Sequence, residues 1–164
     1  MPQTTQFFSP VRLVQNPAFG AVVLWRFGRG FQSEKIDTLP SLNIFFLVFP
    51  ILLHAETLDV VSSTYSTSGL ARFISKVAEN RERLYAIHER AVALRGLTLE
   101  SVAAGVASKL LSVNYETAAV RANEIKPPKP AEGIKAHLAG ADRLGQWFAR
   151  LPPSQVFAML HVVP

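Results

Sequence analysis

The chain has no cysteine among its 164 residues, which excludes a disulfide framework, a thiol nucleophile and any zinc site built on thiolates. It also lacks the 18 to 20 uninterrupted apolar residues, roughly, that a membrane-spanning helix requires. Its two greasiest stretches, NPAFGAVVLWRF (16–27) and LNIFFLVFPILLH (42–54), stop well short of that length. No block of five or six like charges occurs. The formal excess of +5 is spread along the chain, and between Arg81 and Lys109 the cations alternate with Glu82, Glu89 and Glu100. A solvated, mildly basic surface is the first expectation from that pattern, and a nucleic-acid footprint the second. Residues 1–15 (MPQTTQFFSPVRLVQ) have neither the basic start nor the apolar centre of a secretory signal, and no lipidation motif is present. The expectation is a cytoplasmic protein without a membrane segment.

What is present is apolar weight arranged for helices. The length suits one domain, 1–164, with 1–15 as an extended N-terminal segment and 126–130 (KPPKP) as a Pro-rich connector within it. Asn16 before Pro17 is a helix-start signal. The predicted helix runs from Pro17 to about Phe27 and ends at Gly28 and Gly30, although Val22–Leu24 is equally compatible with a strand. Its apolar residues surround the axis, so it should be enclosed by neighbours. The run from Ile44 to Leu53 contains Pro50 and predicts a kinked buried helix or a break near Phe49.

Ser62–Ser68 (SSTYSTS) is polar punctuation ahead of a helix from Gly69 toward Val77. Leu84, Ile87, His88, Ala91 and Leu94 mark an amphipathic helix closing at Arg95 and Gly96. Thr98 then caps a helix carrying Leu99, Val102, Ala103, Val106 and Leu110. Tyr115, Thr117 and Val120 predict a short extended pair between Val113 and Ile125. Ile134, Leu138, Ala141, Gly145 and Phe148 line a further helix stopped by Pro152 and Pro153, and a last short helix follows Ser154. The fold class is therefore mainly α, a compact multi-helix domain with a small β-hairpin and a winged-helix-like outline as one reading.

Tests for chemistry return little. His54, His88, His137 and His161 fall in separate elements without HxxxH or HxxE spacing, so no metal site and no cofactor is expected. No serine sits in a GxSxG elbow. Gly28-Arg29-Gly30 lacks the GK[ST] ending of a phosphate loop, and the acidic pairs Glu56/Asp59 and Glu79/Glu82 belong to polar helix boundaries. No catalytic residue is assigned, and the chain is not expected to be an enzyme. Two surfaces stay in contention. Trp25 and Trp147 exceed what a small site-free domain needs and are candidates for a partner groove, with core burial as the alternative. Arg81, Arg83, Arg90, Arg95 and Lys109 are the nucleic-acid candidates if residues 84–111 form a helix-turn-helix with a following wing. Against that reading, the second helix offers Glu100, Ser101, Ala104, Gly105 and Ala107 where Arg, Asn, Gln or Lys would read bases.

Four blocks, NPAFGAVVLWRF, FLVFPILLH, STSGLARFISK and DRLGQWFARLPPSQVFAMLHVVP, taken in order from Asn16 to Pro164, resemble the middle component of bacterial three-component ABC systems. The resemblance implies a non-enzymatic adaptor encoded between an SMC- or Rad50-like ABC ATPase and a third component, in systems directed against phages and mobile elements. Its implied partners are that ATPase and that third component, with any nucleic acid reached indirectly. A small DNA-binding regulator is the alternative. The blocks are structural, and no functional residue is carried over from them.

Overall fold

The computed structural model describes residues 16–126 and 129–164. The expectations for 1–15, and for Pro127 and Pro128 of the connector, lie outside the described residues. The architecture is mainly α with one two-stranded antiparallel hairpin, as the residue pattern predicts. Helix α1 spans Pro17–Glu34, with Asn16 as its cap: the Asn16 Oδ1 accepts from the Ala18 N–H at 2.9 Å, and Pro17 occupies the first turn. The helix does not stop at Gly28. It runs on through both glycines because the residues facing them leave no room for side chains. A Cβ on Gly30 would lie 2.2 Å from the carbonyl oxygen of Asp142, and one on Gly28 2.8 Å from the Cβ of Ala122. The glycines permit backbone contact rather than ending the helix.

The second apolar stretch is broken earlier than expected. Helix α2 (Leu42–Phe45) and helix α3 (Val48–Leu52) are separated at Phe46 and Leu47, and Pro50 falls in the first turn of α3. There its missing N–H removes no intrahelical bond. All five residues of α3 are buried. Helix α4 (Ala55–Ser62), the loop to Ser68, and helix α5 (Gly69–Val77) follow. Helix α6 (Arg81–Ala93) starts at an Asn80 cap whose Oδ1 accepts from the Glu82 N–H at 3.1 Å. Helix α7 (Arg95–Ala107) follows α6 with only Leu94 between them. Gly96 is thus inside α7 and caps nothing. Thr98 is not a cap either, since it sits in the first turn, fully buried, donating to Leu94 O at 3.1 Å.

The hairpin pairs β1 (Leu111–Val113) with β2 (Val120–Ala122) in the register Leu111↔Ala122, Ser112↔Arg121, Val113↔Val120. Helix α8 (Lys135–Ala149) and helix α9 (Pro153–Met159) complete the chain, Pro153 rather than Ser154 being the first helical residue of α9. Helix α1 is the structural axis, with α8 along one side and α7 along another. Most of its faces meet protein, which accounts for the breadth of its apolar surface, while Ala18, Val22, Arg26, Arg29 and Ser33 form a stripe that is exposed or only partly buried. One continuous core joins α1, the α2–α3 run, α8 and α9. Phe27 makes edge-to-face contacts with Phe45 at 5.1 Å and Phe148 at 5.5 Å, an arrangement that adds to plain area burial. Among the described residues no single helix is long and apolar enough to cross a membrane. The α2–α3 run and α4 would qualify only as a pair, and that pair is bent by 101°.

Candidate partner-binding surface

The five cations proposed for nucleic acid do not converge on one face with free head groups. Arg83 is paired with Glu56, Nε to Oε2 at 3.0 Å. Arg90 turns inward, and its Nε donates to the Pro50 carbonyl at 2.8 Å. Burial lowers its pKa despite the opposing influence of Glu56. Arg95 lies over the Phe46 ring, 5.8 Å from its centroid. Lys109 holds the left-handed turn between α7 and β1 (φ 65°), where its carbonyl accepts from Asn123 Nδ2 at 2.9 Å. Arg81 stands exposed in the first turn of α6. The outward residues of α7 include Leu99, Glu100, Ala103 and Ala107, which provide none of the forked donors that read base edges.

Both tryptophans are core residues, which replaces the groove reading by packing. Trp147 is 1% exposed and stacks at a tilt on Phe73, with ring centroids 5.9 Å apart. Its Nε1 donates to Ser66 O at 3.0 Å. Trp25 is 3% exposed, and its Nε1 donates to Asn123 O at 2.8 Å, tying α1 to the end of the hairpin. Trp25 also lines a depression together with Val22, Ile134 and Leu138. A buried indole needs a partner for its N–H, and each finds a backbone carbonyl.

The histidines stay apart. Among the described residues no group of three or more His, Cys, Asp or Glu is placed to hold a metal ion. His54 and His137 each bury an Nδ1 without a partner among the described residues. Burial lowers both pKa values, and for His54 the positive charge of Arg90 adds to the effect. Both shifts favour the neutral imidazole over the charged form. His88 instead fastens the C-terminal residues, its Nδ1 accepting from the Val163 N–H at 3.3 Å. His161 meets Tyr85 edge to face at 5.8 Å. An apolar groove of about 270 Å³ opens there, between α6 and the C-terminal residues, lined by Phe46, His88, Val92, Arg95, Phe157 and Val163 among others.

A second surface feature was invisible in the residue pattern, which marks Ser62–Ser68 only as polar. The loop between α4 and α5 is held from two helices, α5 and α8, and from Arg150 just past the end of α8. Arg143 of α8 donates through Nη1 to the carbonyls of Val61, Ser62 and Thr64 at 2.9, 3.1 and 3.0 Å. Val61 and Ser62 belong to the last turn of α4, where carbonyls have no i+4 partner within the helix, and a cation is a favourable neighbour for them. Lys76 of α5 donates to Ser63 O at 3.0 Å and Thr64 Oγ1 at 3.1 Å. Ser66 O accepts from Trp147 and, at 2.8 Å, from Arg150 Nη1. Between these anchors Tyr65 projects outward, 80% exposed. The signal for this arrangement is dispersed over residues 76, 143, 147 and 150, so no local motif carries it.

The geometry is that of a packed helical scaffold with a clamped loop, a C-terminal groove and no convergent ionisable cleft among the described residues. No curated protein and no solved structure matches the chain. The model of one family, described as ABC-three component (ABC-3C) system Middle Component 3, matches residues 5–164, and the chain belongs to that family.

Proposed function

We propose that this chain is a cytoplasmic, non-catalytic adaptor that couples an SMC-like ABC ATPase to the third component of a bacterial system directed against phages or mobile elements. The observation that carries the reading is family membership across nearly the whole chain as the middle component of a three-component ABC system. The geometry supports it in two ways. Its titratable groups are dispersed as surface ion pairs, structural caps and isolated imidazoles, which does not suit acid-base catalysis. Apolar and aromatic side chains such as Tyr65, Tyr85, Val92 and Val163 remain in solvent, where a partner subunit could cover them.

Co-expression of the chain with the ATPase and the third component of its own system, followed by capture through a tag on this chain, tests the proposal. Stoichiometric recovery of both components is the expected result. A monodisperse protein that retains neither would overturn it. The DNA-binding alternative predicts a salt-sensitive shift of duplex DNA. With Arg90 turned inward, Arg83 paired with Glu56 on the surface and Arg95 laid on Phe46, no shift is expected at low salt.

A further inference from the structure

The face of α6 that borders the C-terminal groove has no cover among the described residues. We infer that it is the interface of a homodimer, in which α6 packs antiparallel against α6 of a second copy of this chain, about a two-fold axis passing between His88 and Glu89. The inference concerns self-association, so it stands or falls separately from the adaptor reading.

Helix α6 carries apolar side chains on two sides. Leu84, Ile87 and Ala91 face the core. Tyr85 and Val92 lie seven residues apart, two turns along one outward face, and are 56% and 64% exposed. The Tyr85 ring is already held edge to face by His161, so little freedom remains for it to lose on association. Val92 and the exposed Val163 stand on the walls of the groove, which also holds His88 and Arg95. Large apolar side chains grouped in solvent mark an interaction surface. At about 270 Å³ the groove is smaller than the roughly 300–1,000 Å³ of small-molecule sites, which suits an inserted side chain better than a ligand.

Charge identifies the occupant. The same face carries Arg81, Glu82 and Glu89, and Arg95 follows at the start of α7; all four are exposed, and among the described residues none forms an ion pair. The other charges of α6 are engaged off this face, Arg83 with Glu56 and Arg90 inward on Pro50. Glu79 and Glu100 lie just outside it, before the helix start and on α7. A surface of one sign repels its own copy, whereas this one holds both signs in a complementary order. A two-fold contact is isologous, so each pairing is made twice. About the stated axis, the antiparallel register sets Tyr85 opposite Val92 of the second copy, Glu82 opposite Arg95 and Glu89 opposite His88. Arg81 falls opposite Gly96, which has open space around it. A parallel pair would instead set Glu82 and Glu89 against themselves, which like charges disfavour.

The test is sedimentation equilibrium of the purified full chain over a wide concentration range, with the variants Val92→Glu, Glu82→Arg, Arg95→Glu and the Glu82→Arg/Arg95→Glu double exchange. The substituted residues are exposed, and thermal melts confirm that each variant is folded. The expected result is a wild-type dimer that dissociates on dilution. Val92→Glu, which sets a carboxylate on Tyr85 twice per dimer, should weaken it by about tenfold or more. Each single charge reversal should weaken it as well, and the double exchange should recover it. A wild type that is monomeric at every concentration would overturn the inference. A dimer left equally tight by Val92→Glu would place the contact elsewhere and overturn this interface, and a double exchange no tighter than the single ones would overturn the register. A monomer that captures the ATPase or the third component through Val92 would give the face to that partner, which removes the second copy and leaves the adaptor reading intact.

Discussion

Gln32 holds Ala122 by both of its backbone polar groups: Nε2 donates to Ala122 O at 3.1 Å, and Oε1 accepts from the Ala122 N–H at 2.7 Å. The side chain of a helix thus takes the place of a third strand. Farther along β2, the Val120 N–H donates to Pro40 O at 2.9 Å. An edge strand with open backbone groups invites pairing with another chain, and this edge is covered from within. Gln32→Ala strands two polar groups on a residue that is 1% exposed, so a loss of about 1–3 kcal/mol is expected in urea denaturation. Faster amide exchange at Ala122 should accompany it, and unchanged exchange there would count against the assigned role.

The two central helices touch backbone to backbone. A Cβ on Gly145 would lie 2.1 Å from the carbonyl oxygen of Phe27 and 2.7 Å from the nitrogen of Phe31. Gly145→Ala is expected to cost at least the 1–3 kcal/mol, roughly, typical of overpacking, because backbone cannot rotate aside as a side chain can. Gly96→Ala makes the internal control. That glycine lies inside α7 with nothing within 4 Å of an added Cβ, so the substitution should gain about 0.5–1 kcal/mol. Thermal melts of the two variants should move in opposite directions.

Acid should weaken the fold through its neutral histidines. Burial lowers the pKa of His137, and burial together with Arg90 lowers that of His54. On acidification the unfolded chain takes up these protons first. The stabilisation is therefore complete above the ordinary imidazole value of about 6.5 and is lost as pH falls through the lowered folded values. Melting temperature should decline as pH falls below about 6.5, and His137→Leu should flatten that decline. An identical slope in the variant would show that the acid sensitivity lies elsewhere.

Arg90 serves as a brace for the broken apolar run. Removing its head group leaves the Pro50 carbonyl without the 2.8 Å bond from Nε, in a residue that is itself buried. Arg90→Met retains much of the stem and should cost about 1.5–3 kcal/mol. Arg90→Lys is expected to recover only part of the loss, since an ammonium lacks the planar fork. Equal melting of the Met and Lys variants would argue for packing alone.

Elements whose signals are local were legible in the residues. The Asn16-Pro17 start, the helix beginning at Gly69, the amphipathic α8 and the hairpin near Val120 depend on caps, periodicity or turn residues within a few positions. What could not be read depends on distant partners. The continuation of α1 through Gly28 and Gly30 is decided by Ala122 and Asp142. The inward turn of Arg90 is decided by Pro50, 40 residues away in sequence. Trp147 and Arg150 reach Ser66 across 81 and 84 positions, so a stretch that reads only as polar punctuation is held by distant side chains. The C-terminal groove is equally nonlocal, since His88 and Val163 meet across 75 residues.

The pairing of α1 with α8 sets the order in which this molecule can be made. Glu34 and Arg150, which join across the far end of that pair, are separated by 116 residues. During synthesis α1 and the buried run after it emerge from the ribosome long before the helix that shelters them. Such long-range closure slows folding and lengthens the time that sticky surface is exposed. A chain released before Ala149 would lack the complete α8 and could not close its core. Production of active protein therefore depends on finishing the polypeptide, and on protecting its early residues until then.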